Sequence, residues 1–405
     1  MKTRDLLNYG YEYWHQMFNE RQLLCLGMLL DAILRIPDMN IRELLVMTLA
    51  DAVNANNMFS KYHAAYQKIE PLFGLHAYHP IGQPMENNVW GTKFGKNTFL
   101  KTYQKTRRGK EYCIRPFERD GAVRRKTGDT VAAELADDFD GVLTGKGDAL
   151  LWAQTSEDLS SIPDGSIDAV VSDPAYCDNV QYAELADFFY VWLRLALKDR
   201  YPTFAADYSP KAREIVKNEA QDKDDAFFFR GLTRVFRECN RVLKDDGLFT
   251  FTFHHKETWA WKSVLSAILD SGFCVVAIYP VRSEKRGGFH AEVGNIGYDI
   301  PFVCRKRRGG GQAVSWEALK DEIYFAAQES VERIKTSGRS ISDADLFVIV
   351  MGRCLELYSK HWPNVLKEGQ QVDVDQAVDD LDDLVDSLIK SYELKLLPAS
   401  LDDTT

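Results

Sequence analysis

The run Ile167-Asp168-Ala169-Val170-Val171-Ser172-Asp173-Pro174-Ala175-Tyr176 decides the fold. Its apolar first part predicts a strand, and Asp173-Pro174 ends it, because proline lacks the N–H a ladder needs. A helical run, Tyr182–Leu197, follows. Strand, turn and helix in that order are the unit of an open α/β sheet, where ligands bind outside the carboxyl ends of the strands. Asp173–Tyr176 therefore falls on the ligand-bearing edge.

Moving outward, the alternation continues. Leu248–Phe253, Cys274–Tyr279 and Ile300–Cys304 read as strands and Trp259–Leu269 as a helix, with Gly247 and Gly272 just before strands. This predicts a parallel sheet. The last two strands flank a polar, glycine-containing loop, Glu284–Gly297, which predicts a hairpin-like antiparallel addition at the end of the sheet. Before this zone, Leu23, Leu26, Leu30, Ile33 and Leu34 recur at helical spacing, as do Leu44, Leu45, Leu49 and Val53, with Asp38 or Asn40 as the second helix's cap. Residues from about 74 to 140 show weak periodicity and predict loops, short helices and one ribbon. Gly309-Gly310-Gly311 reads as a linker to a helical C-terminal region, where Val374, Ala377, Val378, Leu381, Leu384, Val385 and Leu388 form an apolar stripe. The Asp-rich remainder reads as its solvated face, against the alternative of a partner-binding tail. The expected zones are thus 1–140, helical and loop-rich; 141–308, the α/β sheet; and 309–405, helical.

The 405 residues, 45% hydrophobic and 12% aromatic, suffice for two or three domains with their own cores. A net charge of −10 does not advertise nucleic-acid binding, although phosphate contacts need only a local basic surface. Seven scattered cysteines form no C-x-x-C pair, so a reduced, cytoplasmic protein without a cysteine-based zinc site is expected. The most apolar run, Leu23–Leu34, is broken by Asp31 and too short to span a bilayer, so no membrane association is expected.

The residue types of the turn suit one task. A carboxylate such as Asp173 accepts a hydrogen bond from an aromatic amine and aims its lone pair at an electrophilic methyl group. Pro174 fixes the backbone so that a carbonyl can serve as a second acceptor, and Tyr176 offers a flat face to an unstacked base. The same four residues also fit a plain strand-ending turn without chemistry.

The segment Gly165–Arg194, GSIDAVVSDPAYCDNVQYAELADFFYVWLR, resembles the heart of the prokaryotic adenine-specific DNA methylases, large proteins associated with anti-phage defence. The resemblance extends to Phe251–Lys256, Tyr279–Glu284, Val303–Arg307, the helix around Arg21-Gln22-Leu23 and Gly352–Val365, and so covers most of the chain. It implies a partial Rossmann-like methyltransferase sheet using S-adenosylmethionine. Asp173, Pro174 and Tyr176 match the D-P-P-Y turn that holds the target amine, and Ala175 replaces the second proline, which loosens the turn. Asp148, with Ala149 beside it, matches the acidic position that contacts the cofactor's adenine. An Asp-type turn implies adenine N6 as target, with cytosine N4 or RNA as the alternatives.

A glycine-rich cofactor turn is missing from the sequence. Gly74, Gly82, Gly91 and Gly95 are isolated, and Gly287-Gly288 and Gly309–Gly311 do not open a helix after a buried strand. The resemblance implies a family layout interrupted after the second strand by a long insertion, and this sequence starts inside it. A second polypeptide carrying the glycine-rich half is therefore expected as partner, together with DNA. The rival is a cofactor-free nucleic-acid-binding scaffold.

Further candidates surround this centre. Lys93–Lys126 is basic, with Arg107, Arg108, Arg124 and Arg125 among its cations and Phe94, Phe99, Tyr103 and Tyr112 interleaved; DNA contact and a solvated loop both fit. Asn87-Asn88 fit base-edge contacts or turn chemistry. His254-His255 end a strand and fit substrate lining or packing better than a metal, whose other ligands are missing nearby. Tyr182 lies near enough to the turn to line the substrate, and Arg282 with Lys285–Asn295 fits a lid or target-recognition loop.

Overall fold

Residues 3–64, 67–74, 77–93, 96–128, 132–282 and 296–396 are described by the computed structural model. Their contacts divide the chain into two units, Met1–Leu151 with Gln181–Glu214, and Trp152–Val180 with Ile215–Thr405. This division departs from the linear zones 1–140, 141–308 and 309–405. The helix after the Asp173 turn belongs to the first unit, and the C-terminal helices share the sheet's core. Loop Lys285–Asn295, Gly287-Gly288 and Phe94 lie outside the described residues.

The first unit begins with α1 (Arg4–Asn8), α2 (Glu20–Leu34) and α3 (Met39–Val53). Asp38 caps α3, accepting from the Ile41 N–H at 2.9 Å. Asn19 and Gln22 exchange bonds in a capping box at α2, which satisfies two otherwise orphaned donors. A short pair, β1 (Lys61–His63) and β2 (Lys68–Glu70), precedes α4 (Phe99–Ile114). Then come the ribbon β3 (Phe117–Asp120) and β4 (Val123–Lys126), the short α5 (Phe139–Leu143), and α6 (Tyr182–Leu197). Leu26, Leu30, Ile33, Val46 and Leu49 from α2 and α3 bury against Tyr78 and Phe188, so α6 is a core helix of this unit. The ribbon was expected. The 16-residue α4 was not, because its basic sequence buries only Phe99 and Thr102 and carries no broad apolar stripe.

The second unit is mixed α/β. It contains β5 (Ile167–Ser172), α7 (Asp225–Val242), β6 (Leu243–Phe253), α8 (Thr258–Asp270), β7 (Phe273–Ile278), β8 (Val281–Arg282) and β9 (Tyr298–Lys306). The strand order is β5-β6-β9-β7, with β8 paired to β9. β5 and β6 are parallel, and β9 runs antiparallel to both β6 and β7. The antiparallel addition is real, but it enters between β6 and β7 and not at the end of the sheet. Gly247 lies inside β6, beside a register irregularity opposite Ile167–Ala169, where a Cβ would press against the Asp168 carbonyl. Gly272 does precede β7, with the positive φ of 80° that favours glycine.

Phe249, Phe251 and Phe253 alternate inward on β6, facing Ile300, Phe302 and Cys304 of β9. Phe228 and Phe236 of α7 and Trp261, Val264 and Ile268 of α8 join them in one core. After β10 (Val314–Ser315), α9 (Trp316–Thr336) and α10 (Asp343–His361) pack into that core as well. β11 (Val365–Lys367) and β12 (Gln370–Gln371) complete a small sheet with β10. The apolar C-terminal stripe is carried by α11 (Val374–Asp379) and α12 (Asp382–Leu396) with a break between them. Part of its acidic face is engaged: Asp375 and Asp379 pair with Lys262, and Asp380 accepts from Trp316 Nε1 at 2.8 Å.

Gly309–Gly311 is no slack linker. A Cβ on Gly311 would strike the Lys360 carbonyl and approach His361 Cα to 2.6 Å, and Asn364 Nδ2 donates to the Gly311 carbonyl at 2.6 Å. Among the described residues, no helix is long and apolar enough to cross a membrane.

Candidate functional site

Register places the central residues. Ser172 pairs with Phe251 in the parallel β5–β6 ladder, so the next residues, Asp173 and Thr252, emerge together at the carboxyl ends of adjacent strands. Thr252 Oγ1 donates to Asp173 Oδ1. Tyr176 Oη donates to the same oxygen at 3.1 Å. Asp173 is exposed, and its second oxygen, Oδ2, has no hydrogen-bond partner among the described residues. One carboxylate oxygen is thus held from two sides while the other remains an open acceptor.

Pro174, Ala175 and Tyr176 are partly buried, and Asn179 N–H closes the turn on the Tyr176 carbonyl at 3.1 Å. Cys177, with a φ of 55°, reverses the chain and is fully buried. Burial pushes its thiol well above the usual range, so it serves packing and not nucleophilic chemistry. Burial likewise pushes the Tyr176 phenol up, which keeps its proton in place as a donor. The Tyr176 ring meets His254 at 4.7 Å and Phe253 at 5.5 Å, both at steep angles.

The two histidines divide their roles. The antiparallel pair Phe253↔Ile300 sets His254 beside Asp299, and His254 Nδ1 lies 2.5 Å from Asp299 Oδ1. In the neutral imidazole such a contact would put the proton on Nδ1 and leave Nε2 as an acceptor. His255 is buried; it accepts from the Glu257 N–H on Nδ1 at 3.1 Å and meets Asp178 through Nε2 at 3.1 Å. His254 lines the site and His255 braces the turn that follows it. No group of three or more His, Cys, Asp or Glu side chains among the described residues is placed to hold a metal.

The remaining candidates belong to the first unit. Asn87 Nδ2 donates to the Lys96 carbonyl at 2.9 Å, its Oδ1 accepts from the Asn88 N–H, and Asn88 Oδ1 accepts from the Gly91 N–H at 2.7 Å. Both asparagines therefore perform turn chemistry. Tyr182 opens α6. Arg107 pairs with Glu111 and Arg125 with Asp120, whereas Arg124 lies over the Phe117 ring at 4.7 Å.

Asp148 and Ala149 do not make a cofactor cradle. Asp148 Oδ2 accepts from the Glu134 N–H at 2.9 Å, and Ala149 forms only an isolated bridge with Leu135. A Cβ on Gly147 would lie 2.6 Å from the Ala136 N, so this glycine admits the chain's own backbone and not a ligand. Residues 150–166 form no strand. The described residues do not fit S-adenosylmethionine at this position.

No protein-family model matches the chain, and no curated protein matches it. The site is therefore interpreted from its own geometry. Thr252 and Asp299 are the site residues that sequence reasoning missed. Thr252 was legible in principle, one step past the position that pairs with the strand-ending Ser172. Asp299 depended on the β6–β9 register, for which no local signal exists.

Proposed function

We propose that this chain is the amine-holding part of an S-adenosylmethionine-dependent DNA amino-methyltransferase with a Rossmann-like sheet, acting on adenine N6 of a flipped base. The observation that carries this reading is the half-open carboxylate of Asp173, clamped on Oδ1 by Thr252 and Tyr176 at the carboxyl edge of two parallel strands. Oδ2 takes one N–H of the target amine and fixes the direction of its lone pair. Positioning supplies most of the catalysis in such a transfer, so a fixed acceptor matters more than a strong base. The Tyr176 ring and His254 border the base. The resemblance of Gly165–Arg194 to the adenine-specific DNA methylases supports the same assignment, including a setting in cytoplasmic anti-phage defence or restriction-modification.

The methyl donor's cradle is assigned to a second polypeptide. β5 pairs on one side only among the described residues, and Val171, its penultimate residue, is 83% exposed. An apolar edge strand of this kind is a template for strand addition. A second reading, a scaffold without catalysis, draws on the coil after Asp148 and on Ala175 in place of proline.

Titration calorimetry with S-adenosylmethionine separates these readings. The chain alone should show no binding, and its complex with the glycine-rich polypeptide should bind and methylate DNA. Tight binding by the lone chain would refute the divided enzyme, and a complex that binds DNA but never the donor would establish the scaffold.

A further inference from the structure

The first unit carries a second feature, which does not depend on methyl transfer. Between residues 93 and 126 stand twelve lysines and arginines against three carboxylates, Glu111, Glu118 and Asp120, a net of +9 in a chain of −10. The structure sorts these cations. Arg107, Arg125 and Lys105 are paired with Glu111, Asp120 and Asp51. Arg108, Arg115 and Arg124 have no carboxylate within ion-pair distance among the described residues, and all three line one open groove of about 740 Å³ between α4 and the β3–β4 ribbon. Its one acid, Glu111, is the side chain neutralised by Arg107.

The floor of the groove is aromatic and apolar. Tyr112 meets Phe117 edge-to-face at 5.1 Å, with Ile114 beside them. Arg124 covers the Phe117 ring at 4.7 Å. Arg108 also lines the neighbouring hollow with Lys96 and Lys101. Residues 101, 105, 108 and 112 recur at three- and four-residue spacing, so they share one face of α4 and form a track about 17 Å long, with Arg115 just past the helix end.

We propose that this groove docks a single-stranded nucleic-acid segment, its phosphates on Arg108, Arg115 and Arg124 and a base against the exposed ring of Tyr112, which Phe117 backs edge-to-face. Cations alone would serve a duplex equally well, because its phosphates lie outside. An exposed aromatic floor serves only a strand whose base faces are uncovered. The net +9 makes a polyanion the complementary partner.

The test is fluorescence anisotropy with the full chain, no methyl donor, and a labelled oligothymidylate compared with a duplex of equal length. Two double variants change the net charge equally: Arg108→Gln/Arg124→Gln inside the groove and Lys110→Gln/Arg125→Gln, which leaves the Arg107–Glu111 pair intact, outside it. The oligothymidylate should bind more tightly than the duplex. The groove variant should bind about 10-fold more weakly and lower the salt slope by about 1.4, two phosphate contacts at about 0.7 each. The outer variant should stay within about twofold. Tyr112→Ala should weaken binding about fivefold or more without changing the slope. Circular dichroism confirms that each variant is folded. Equal losses in the two double variants, duplex preference, or no oligothymidylate binding would overturn the proposal. None of these readouts involves methylation, so they stand apart from the fate of the catalytic reading.

Discussion

Asp173 and Thr252 end neighbouring parallel strands side by side, and the threonine hydroxyl donates to the oxygen of Asp173 that Tyr176 also holds. Two neutral donors fix the carboxylate plane without neutralising its charge. Oδ2 is consequently presented in one orientation, which is what an amine acceptor needs.

Thr252→Val keeps the shape of the side chain and removes the donor. Hydrogen bonds to charged groups contribute about 1.5–3 kcal/mol, so the predicted loss in kcat is about 10-fold or more. The Michaelis constant for DNA should change little, and Thr252→Ser should restore most of the rate. Steady-state methylation by the complex with the partner polypeptide measures all three.

Acid sensitivity should be traceable to Glu238. This carboxylate lies below its usual range, held first by the hydrogen bond from Arg241 and further by the Leu159 N–H at 2.8 Å. Arg241 also reaches the Ile162 and Leu159 carbonyls and Asp164, tying residues 159–164 to α7. With a folded pKa below the unfolded value, the stabilisation is present above about pH 4.3 and is lost as pH falls through the folded value. Glu238→Gln should lower Tm at pH 7 and flatten the acid limb of Tm against pH.

Gly311→Ala tests whether the triple-glycine run is a packed connection. The new Cβ would collide with backbone of α10 and not with a flexible side chain end, which predicts a loss of about 1–3 kcal/mol. A Cβ on Gly310 would approach only the side chains of Asn364 and Pro363, so Gly310→Ala should cost less. Urea denaturation of the two variants provides the comparison, and equal midpoints would restore the linker interpretation.

The parts of the fold that were legible in the sequence are those with local signals. The apolar run into Asp173-Pro174 marked β5 and its turn, and Asp38 before a stripe of leucines marked α3. α4 escaped because helices are recognised by an apolar stripe, and this one is cationic and largely solvated. α7 carried a readable signal, Asp224 capping a run with Phe228, Leu232, Phe236 and Cys239 at helical spacing. The position of β9 was not legible. Strand order is set by long-range packing of Phe251 on Phe302 and Trp261 on Phe302, and no pattern within either strand specifies its neighbour. The site followed the same rule: Asp173 and Tyr176 were local, whereas Thr252 and Asp299 arrive through register.

The most direct test of the central claim is nucleoside mass spectrometry of DNA from cells making the chain with its partner polypeptide, comparing the native chain with Asp173→Ala. N6-methyladenine is expected in DNA with the native chain, and its loss, by a factor of about 100 or more, with the variant. Equal methylation in both, or modification confined to cytosine N4 or to RNA, would contradict the claim.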